Sequence, residues 1–510
     1  MADILLTQSY HLFYDLKQVR KMQPYPPLGT LYAAALLRQQ GFSVALFDAM
    51  LEEPESGFAA ALERHRPAIV AVYEDNFNFL SKMCLTRMRQ VAYGAIEAAR
   101  RSGASVIVNG SDATDHAETY LRRGADFVLL GEAEWTLVEL SKALLGGEAA
   151  KLENIPGIAY APEGNHGFRL TAVRPLMRDL DLLPRPARDL IDIESYRKVW
   201  KAAHGHFSMN LVASRGCPYH CNWCAKPIYG QRFHARSASA VAGEMKELKE
   251  LYGADHLWFA DDIFGLNPRW LPELAENVEA LQAKVNFKAQ CRIDLVTENN
   301  VRALRRAGCT EVWLGVESGS QKILNAMDKG TRVQEVIAVR NRLRDNGIRA
   351  CFFLQFGYPG EDWDDIQATI RLVRDAQPDD IGVSVSYPLP GTPFYDRVSA
   401  QLGEKKNWID SDDLAVMFKG AYRNEFYHAL RTALHAEVDF RRGSASMSAP
   451  ASSRNQPVTA PDLARLWAKV EDLETTCRNG DRTMLPILRG TTRSQTAYAG
   501  AVPIDPQTMS

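Results

Sequence analysis

Three cysteines lie within eight residues of one another, with the spacing C-x3-C-x2-C: Cys217, Cys221 and Cys224. Thiolates are the ligands that iron–sulfur clusters require. A 4Fe-4S cluster contains four irons, so three cysteines leave one iron without a protein ligand. An open coordination position is typical of a metal that does chemistry rather than one that only holds the fold. The spacing therefore predicts that these cysteines bind a reactive 4Fe-4S cluster.

Two other interpretations of the triplet stay open at this point. His220 could complete a Cys3His zinc site, but four ligands within eight residues leave little chain to surround one ion, and no second C-x2-C pair follows. The three cysteines could instead be unrelated core residues, although the other five cysteines are scattered singly along the chain. The cluster is the interpretation that the spacing favours.

The composition indicates a multidomain globular protein of 510 residues with a net charge of −2. A chain of this length exceeds one ordinary core, so two or three domains are expected. The near-neutral charge argues against a general binder of nucleic acid or membrane surfaces. The first residues do not form a secretory signal, and no apolar run reaches the ~18 residues that span a bilayer. Clustered thiols without signs of export predict a cytoplasmic location.

Residues 1–145 alternate short apolar strands with amphipathic helices, which predicts an α/β domain with a doubly wound, flavodoxin-like parallel sheet. The predicted strands are Ile4–Leu6, Val44–Phe47, Ile69–Val72, Val106–Val108 and Phe127–Leu130. Ligands bind such sheets beyond the carboxyl ends of the strands. No G-x-G-x-x-G follows the first strand, so a nicotinamide or flavin site is a weak hypothesis.

The rest of the chain is divided as a linker, a barrel and a C-terminal extension. Residues 146–205 are rich in breaks and prolines and are expected to be a linker. Residues 206–400 contain six strand–helix units, which predict a partial (β/α)6 barrel with its active site at the carboxyl ends of the strands. The cysteines follow the first of these strands. Residues 401–510 are expected to form a helical extension with an amphipathic helix over 413–437, whose aromatic residues would either pack on the barrel or cover a substrate. A tether over 442–460 and a disordered tail are expected to follow.

The triplet, with Trp223 before its last cysteine, resembles the radical S-adenosylmethionine (SAM) superfamily, in which the amino acid end of SAM binds the fourth iron. The N-terminal features resemble the cobalamin-binding domain attached to many of these enzymes: a Pro26-Pro27-Leu28-Gly29 helix start, and a closing strand followed by Gly131-Glu132-Ala133-Glu134. The resemblance covers about residues 1–395 and implies three cofactors: a 4Fe-4S cluster, SAM and cobalamin.

The resemblance implies cobalamin contacts in the loops that follow the N-terminal strands. These candidate residues are Asp48, Met50, Asn109, Gly110, Ser111, Gly131 and Glu132. Some cobalamin domains carry D-x-H-x-x-G, whose histidine binds cobalt, whereas Met50 occupies the histidine position here. Cobalt would then be five-coordinate, or capped by water or another side chain. The alternative is a flavodoxin-like domain that binds no ligand.

The resemblance also implies SAM contacts at the barrel mouth. Asp261 and Asp262 would hold the amino group of SAM, although an acidic pair that caps a helix would look the same. Arg292 would pair with its carboxylate, or form a structural ion pair. Glu317 would accept hydrogen bonds from the ribose hydroxyls, and Trp223 would lie near the adenine or in the core.

The resemblance implies an enzyme that forms a 5′-deoxyadenosyl radical and functionalises an unactivated carbon, most simply by methyl transfer from methylcobalamin. One alternative is an oxidative, ring-forming enzyme like the anaerobic magnesium-protoporphyrin monomethyl ester cyclase, which the segment 414–427 resembles. Another is a non-catalytic cobalamin carrier or sensor. The expected partners are a small-molecule substrate, with natural-product and tetrapyrrole-like intermediates as candidates, and an external one-electron reductant such as flavodoxin or ferredoxin. No nucleic acid is expected, and no catalytic side chain is assigned.

Overall fold

The computed structural model of the protein describes residues 2–147, 149–162, 167–445 and 458–479. Two mainly parallel sheets dominate this part of the chain. The helices that cover them alternate with the strands along the sequence. None of the described helices is long and apolar enough to cross a bilayer.

The first sheet has seven strands in the order β2-β1-β3-β4-β5-β6-β7. Its strands are β1 (Ile4–Thr7), β2 (Val44–Phe47), β3 (Ile69–Tyr73), β4 (Ser105–Asn109), β5 (Phe127–Leu129), β6 (Ile158–Tyr160) and β7 (Arg169–Leu170). The first five are parallel, whereas β6 and β7 run antiparallel. All five strands predicted for this domain are present within a residue or two.

Helices pack on both faces of this sheet, so the doubly wound prediction is confirmed. The helices are α1 (Leu16–Lys21), α2 (Leu28–Gln39), α3 (Pro54–His65), α4 (Phe79–Lys82), α5 (Thr86–Arg101), α6 (Ser111–Asp115), α7 (Ala117–Arg122) and α8 (Glu134–Leu145). One face buries apolar residues of α3 and α5, and the other buries those of α2 and α8. Strand residues such as Val70 and Ile69 alternate between these two cores because successive side chains point to opposite faces.

The segment expected to be a linker has structure of its own. Its first part supplies β6 and β7, which extend the N-terminal sheet, and its last part forms α9 (Ile193–His204). Asp192 caps α9 by accepting hydrogen bonds from the backbone N–H groups of Glu194 and Ser195. The buried Tyr196 and Trp200 of α9 then pack between the two sheets, so this segment is a packed part of the molecule.

The second sheet has six parallel strands in the order β15-β14-β13-β12-β11-β8, which confirms the partial barrel. The strands of this half are β8 (Ser208–Leu211), β9 (Ser214–Arg215), β10 (His234–Ala235), β11 (His256–Phe259), β12 (Asn286–Cys291), β13 (Cys309–Glu317), β14 (Arg349–Phe356) and β15 (Asp380–Val385). The short β9 and β10 form a separate antiparallel pair. The helices are α10 (Ala238–Glu250), α11 (Trp270–Ala280), α12 (Glu298–Ala307), α13 (Gln321–Ala326), α14 (Val336–Asp345), α15 (Trp363–Ala376) and α16 (Pro393–Val398).

The C-terminal extension contains α17 (Asn424–Ala445) and α18 (Ala460–Thr476). The predicted helix over 413–437 begins late, because Leu414 has a left-handed φ of 47° and the Asn424 side chain accepts a hydrogen bond from the backbone of Val416. The aromatic residues Phe418 and Phe426 are buried, which supports packing against the barrel rather than a substrate cover. Most of the predicted tether (446–457) and the tail (480–510) lie outside the described residues.

A buried carboxylate fastens the second half of the linker to the barrel. Glu244 of α10 accepts hydrogen bonds from Arg185 at 2.9 Å, Arg188 at 2.7 Å and Arg236 at 2.5 Å. Glu244 and Arg188 are both fully enclosed. Burial alone would raise the pKa of Glu244, but Arg236, Arg188 and Arg185 outweigh it and lower the pKa to about 2. The charged carboxylate is therefore the stable form in the folded protein.

The Glu244→Gln variant is expected to lose about 3–5 kcal/mol of stability near neutral pH, because it leaves buried guanidinium groups without a counter-charge. The native pKa is depressed, so this contribution is complete above the ordinary glutamate pKa of 4.5 and disappears as the pH falls towards 2. Denaturant unfolding of both proteins across this range measures it. A difference between the two proteins that does not shrink on acidification would contradict the assignment.

Candidate active site at the facing edges of the two sheets

The cysteine triplet lies on the loop that leaves the first barrel strand at its carboxyl end. Cys217, Cys221 and Cys224 are all half-buried and unbridged. All eight cysteines of the chain are free thiols. The prediction that the triplet sits at the barrel mouth is therefore confirmed by the topology.

Glycine is required immediately before the first cysteine. Gly216 has a φ of 77°, and a Cβ atom at this position would lie 2.1 Å from the carbonyl oxygen of Arg232. The pairing of β9 with β10 brings these two chain segments together. The backbone at the start of the loop is therefore packed so closely that position 216 has no space for a side chain.

Asn222 fixes the second half of the loop to the neighbouring strand ends. Its side-chain amide donates to the carbonyl of Ala326 at 2.8 Å and to Asp328 at 2.7 Å, and its Oδ1 accepts from the Tyr358 hydroxyl at 2.8 Å. Its backbone carbonyl accepts from the N–H of Phe394. One buried side chain therefore holds the Cys221–Cys224 turn against the loops that follow β13, β14 and β15.

The donor set fits a cluster better than a single ion. Within the described residues, no group of three or more His, Cys, Asp or Glu side chains is arranged to hold one metal ion. The Cys3His zinc hypothesis requires such an arrangement, whereas a 4Fe-4S cluster takes each thiolate on a different iron. Burial raises the pKa of Cys224 to about 12, so its thiolate form requires the positive charge of a bound metal.

Arg292 lies beside the cysteine loop. Its guanidinium stacks on the ring of Tyr219 at 3.7 Å, and its Nη1 lies 3.9 Å from the sulfur of Cys221. Its Nε and Nη2 donate to Asp294 at 2.9 Å and 3.1 Å. The structural ion pair considered for Arg292 is therefore present, and it holds a cation beside the sulfur of Cys221.

Glu317 ends β13 in a strained conformation and has a buried partner. Its φ is 64°, which is uncommon for any residue with a side chain. Lys329 donates to its Oε1 at 2.8 Å, and both residues are 6% exposed. Gly315 leaves the space for this pair, since a Cβ there would lie 2.8 Å from the Lys329 ammonium. Trp223 packs beside them, with its ring centre 5.9 Å from that ammonium and its N–H without a partner in the described structure.

The two adjacent aspartates have different surroundings. Asp261 is buried and accepts hydrogen bonds from the backbone of Ala213 and the hydroxyl of Ser214, so it braces the start of the cysteine loop. Burial raises its pKa to about 7. Asp262 forms an ion pair with Lys82 of the N-terminal domain at 2.5 Å. The predicted contact of Asp261 and Asp262 with the amino group of SAM stays a prediction.

The N-terminal sheet carries a small cleft at its carboxyl edge. It is lined by Ser9, Glu74, Ser81, Cys84, Leu85, Met88, Arg89, Val108, Asn109, Asp112, Ala113 and Tyr120. Several buried polar atoms at this edge lack a hydrogen-bond partner in the part of the chain described: Gln8 Nε2, Asn76 Oδ1, Ser81 Oγ and Ser111 Oγ. Buried polar groups are normally satisfied, so these atoms indicate a polar ligand. The amide-fringed corrin of cobalamin has that character.

The predicted loop after β4 reaches this edge. Asn109 ties the strands together: its amide donates to the carbonyls of Leu129 and Gly131, and its Oδ1 accepts from Asn76. Gly110 precedes α6 with a φ of 155°, and a Cβ there would lie 2.6 Å from the side chain of Glu74. Ser111, by contrast, has a buried hydroxyl without a hydrogen-bond partner among the described residues. Of Asn109, Gly110 and Ser111, it therefore has the side chain most available to a ligand.

Glu132, expected at the cobalamin site, binds an arginine of the barrel. Arg215 donates to Glu132 at 2.5 Å and to Glu134 at 2.7 Å, and all three side chains are buried. The Arg215 guanidinium also lies over three rings: those of Tyr229 at 5.1 Å, Phe77 at 5.4 Å and Tyr32 at 5.7 Å. The Gly-Glu-x-Glu turn therefore binds Arg215, which lies two positions before Cys217. The backbone of Gly131 faces the barrel residues 227 and 228.

Asp48 and Met50 follow β2, the edge strand of the sheet, and are not among the residues that line the cleft. Asp48 accepts a hydrogen bond from the Tyr196 hydroxyl of α9 at 2.7 Å, and burial raises its pKa to about 6. Met50 is 3% exposed in the core that α9 shares with the barrel. The structure thus uses this loop for docking α9, and a cobalamin contact of Asp48 or Met50 stays a prediction.

Sequence reasoning missed three residues that organise the site: Arg215, Asn222 and Lys329. Asn222 lies inside the cysteine motif and Arg215 lies two residues before it, and a charged residue and an amide so close to metal ligands were a signal that they must find partners. Lys329 follows α13 and has no comparable signal, because its partner Glu317 is found only through the fold.

Two sequence-family models match the chain. The model described as the Radical SAM superfamily matches residues 211–373, and the model described as the B12 binding domain matches residues 22–141. The first covers most of the barrel with the cysteine loop, and the second covers most of the N-terminal sheet with its cleft.

Two similar proteins align with about three quarters of this chain. The chain is 28% identical over 390 residues to an uncharacterized methyltransferase of Pyrococcus horikoshii, covering 75% of this chain and 81% of that protein. It is 25% identical over 389 residues to the anaerobic magnesium-protoporphyrin IX monomethyl ester cyclase of Cereibacter sphaeroides, covering 74% and 61%.

Two solved structures share the fold. The radical SAM methyltransferase TsrM from Kitasatospora setae, with cobalamin and a 4Fe-4S cluster bound, aligns with a TM-score of 0.64 at 20% identity, over 79% of this chain and 75% of that one. The cobalamin-dependent radical SAM enzyme OxsB aligns with a TM-score of 0.67 at 16% identity, over 93% and 71%.

The fold and the two family matches define a radical SAM enzyme. The chain belongs to the radical SAM enzymes that carry a cobalamin-binding domain, the group that includes methyltransferases and magnesium-protoporphyrin monomethyl ester cyclases.

The Gly216→Ala variant is expected to lose most of its cluster. The added carbon overlaps the Arg232 carbonyl, and relieving an overpacked contact costs about 1–3 kcal/mol in addition to the strain of a left-handed alanine. The iron bound per chain after anaerobic reconstitution measures this.

Gly230→Ala is the matched control for the loop. Gly230 also has a positive φ, of 62°, but the nearest atom to a Cβ there is a Leu176 methyl at 3.6 Å. Equal iron loss in the two variants would show that backbone strain, rather than the clash at position 216, governs the loop.

Proposed function

We propose that this protein is a cobalamin-dependent radical SAM methyltransferase that methylates an unactivated carbon of a small molecule. The observation that carries the proposal is the contact between the two predicted cofactor sites. Arg215, two residues before the first cysteine, is held by the Gly-Glu-x-Glu turn at the carboxyl edge of the N-terminal sheet. A cluster on one edge and a corrin on the other would therefore face a shared space.

In this proposal Cys217, Cys221 and Cys224 hold the 4Fe-4S cluster and leave its fourth iron to SAM. When bound, the reduced cluster supplies the electron that cleaves SAM to a 5′-deoxyadenosyl radical, and methylcobalamin supplies the methyl group. The protein residues position these groups and exclude water from them.

Side chains around the cysteine loop are proposed to bind SAM. Arg292 presents a guanidinium next to Cys221, which suits the carboxylate of SAM. Glu317 keeps one carboxylate oxygen for the ribose hydroxyls while Lys329 holds the other. The aspartate pair would receive the amino group, with Asp262 the more accessible partner because Asp261 is committed to Ala213 and Ser214. Trp223 would contact the adenine.

Cobalamin is proposed to occupy the carboxyl edge of the N-terminal sheet. The unpartnered hydroxyls of Ser81 and Ser111 and the amide of Gln8 are suited to the amide side chains of the corrin. Asn109, Gly110 and Gly131 shape the loops around them, and Glu132 contributes through Arg215 rather than by direct contact. Asp48 and Met50 support the loop after β2.

The ring-forming alternative is favoured by one observation, the similarity to the magnesium-protoporphyrin monomethyl ester cyclase. Methyl transfer consumes SAM in two ways and yields S-adenosylhomocysteine as well as 5′-deoxyadenosine, whereas cyclisation yields no S-adenosylhomocysteine. The products therefore separate the two functions.

The proposed reductant is a small one-electron carrier such as flavodoxin or ferredoxin, since the cluster must be reduced from outside. A cytoplasmic location is proposed because all eight cysteines are unbridged, and a cluster of this kind needs a reducing, oxygen-poor environment.

Anaerobic protein loaded with iron, sulfide and cobalamin is expected to convert SAM to 5′-deoxyadenosine and S-adenosylhomocysteine in the presence of a reductant. Replacing Cys217, Cys221 and Cys224 by serine should abolish both products, because the cluster is lost. The Cys351→Ser variant, at a buried cysteine of the barrel, is the control and should retain them. Mass spectrometry detects each product. Deoxyadenosine without S-adenosylhomocysteine would favour cyclisation. The absence of both products would refute the proposal.

The Ser81→Leu variant is expected to bind cobalamin at least about tenfold more weakly, a change of ~1.4 kcal/mol or more, because leucine fills the cleft. Ser81→Ala removes the same hydroxyl without filling the space and should bind nearly as well as wild type. The visible absorption of bound cobalamin measures both, and the iron content checks that the barrel is intact. Unchanged cobalamin binding by Ser81→Leu would exclude this cleft.

A further inference from the structure

The six-stranded sheet buries one of its faces and leaves the other partly open. The residues that face the helices are fully buried, with 2% exposure or less: Leu257, Phe287, Val312, Phe352 and Ile381. Their neighbours on the opposite face are half-buried: Trp258, Lys288, Trp313, Phe353 and Gly382. A closed eight-stranded barrel fills its interior with side chains. Here six strands do not close, and the side chains of the inner face stay partly accessible to solvent.

Aromatic rings form much of this inner face. Trp313 and Phe353 stack on each other, with ring centroids 4.8 Å apart and an angle of 28° between their planes. Gly382 on the next strand has no side chain to cover them, and a Cβ there would lie 3.1 Å from the Phe353 ring. On the other side, Trp258 contacts Tyr25 at 4.7 Å. Half-buried rings around a gap are suited to a flat, apolar molecule.

Lys288 places a positive charge on this apolar surface. Its ammonium lies over the rings of Tyr25 at 5.6 Å and Trp258 at 5.9 Å. Among the described residues, no carboxylate lies within ion-pair distance of it. Glu311 is its neighbour in strand register, but both oxygens of that carboxylate are engaged.

The engagement of Glu311 is specific. Its Oε1 accepts from the indole N–H of Trp313 at 2.7 Å, and its Oε2 accepts from Arg349 at 2.6 Å. The register pairs Glu311 with Lys288 on one side and with Arg349 on the other, and the carboxylate turns to Arg349. Lys288 is left without an ion-pair partner among the described residues.

Other groups near Lys288 add little negative charge. Burial and the Lys288 charge lower the pKa of His256 to about 3, so this histidine is neutral at pH 7. Lys21 of α1 is exposed to solvent, yet its pKa is lowered, chiefly by desolvation, with Asp380 opposing and Lys288 adding to the effect. Lys21 and Lys288 are therefore two cations on this side of the sheet, with Asp380 as an acid near Lys21.

The position of Lys288 relative to the cysteine loop sets a length. Lys288 and Arg292 are four residues apart, which corresponds to about 13 Å along an extended strand. Arg292 contacts Cys221. A molecule whose acidic group pairs with Lys288 would therefore have to extend roughly that distance to reach the cysteine loop.

We propose that the inner face of the barrel binds the substrate, and that the substrate is an anionic compound with a flat apolar body. Its acidic group pairs with Lys288, and its body lies against Trp258, Trp313 and Phe353. The inference deepens the proposed function by naming the chemical class of the substrate, and its reaction rests on that function, whereas its binding does not.

The test compares three probes with one flat body: naphthalene-2-carboxylate, naphthalene-2-carboxamide and 2-naphthyl phosphate. Titration calorimetry with the full-length, anaerobically reconstituted protein measures binding. The wild type is expected to bind at least one of the two anions about tenfold or more tightly than the neutral carboxamide. The preferred anion identifies the acidic group. No preference for either anion, or no binding of any probe, would overturn the inference.

The variants assign the preference to one side chain. Lys288→Gln should bind the anions no better than the carboxamide, whereas Lys288→Arg should keep the preference because it keeps the charge. Lys284→Gln removes an exposed lysine just before the same strand and should behave as wild type. Near-ultraviolet circular dichroism and iron content confirm folding of each variant. A preference that survives in Lys288→Gln would overturn the assignment.

The two hypotheses can fail separately. Substrate-independent cleavage of SAM by the reduced wild type tests the proposed function, whereas probe binding tests the anionic site. Cleavage without anion preference refutes only the substrate class, and anion preference without cleavage refutes only the reaction.

Discussion

The structure depends on one buried arginine. Arg215 enters a space enclosed by Glu132, Glu134 and three aromatic rings, with both carboxylates contributed by the N-terminal domain. Removing ions from water costs several kcal/mol each, and only close, well-hydrogen-bonded partners repay it. The arginine is therefore stable in this position only when the two domains are docked. Because it lies two residues before Cys217, the same contact that joins the domains also sets where the cysteine loop begins.

Further charge pairs act between the same parts of the chain. Glu244 gathers two arginines of the linker and one of the barrel, and Lys82 reaches across to Asp262 beside the cysteine loop. Charged groups of this kind do little for stability compared with apolar packing, but they penalise every wrong arrangement in which a buried charge is left alone. The apolar cores hold the domains together, and the charges select how they meet. A reaction that uses one cofactor from each domain requires that selection.

The sequence predicted the elements well because their signals are local. Helix α2 begins directly after the Pro26-Pro27 pair that predicts a helix start, and the five strands predicted for the N-terminal sheet lie within a residue or two of their observed bounds. The residues 413–423 were misassigned as helix because their apolar side chains have helical spacing but pack as an irregular segment around Leu414. Partners of charged residues could not be predicted. Glu132 looked like a cofactor contact because its partner Arg215 is 83 residues away in sequence and meets it only after the domains dock.

The open barrel also has a consequence for binding. Six strands do not close, so their inner face cannot be filled by layers of side chains from opposite strands, as happens in an eight-stranded barrel. Helix α17 packs beside β15, and Lys21 of α1 lies close enough to Lys288 for the two charges to interact. A half-buried aromatic surface that carries a cation without an ion-pair partner among the described residues is costly to keep unless a ligand compensates for it. The charge of Lys288 is therefore better explained by binding than by stability.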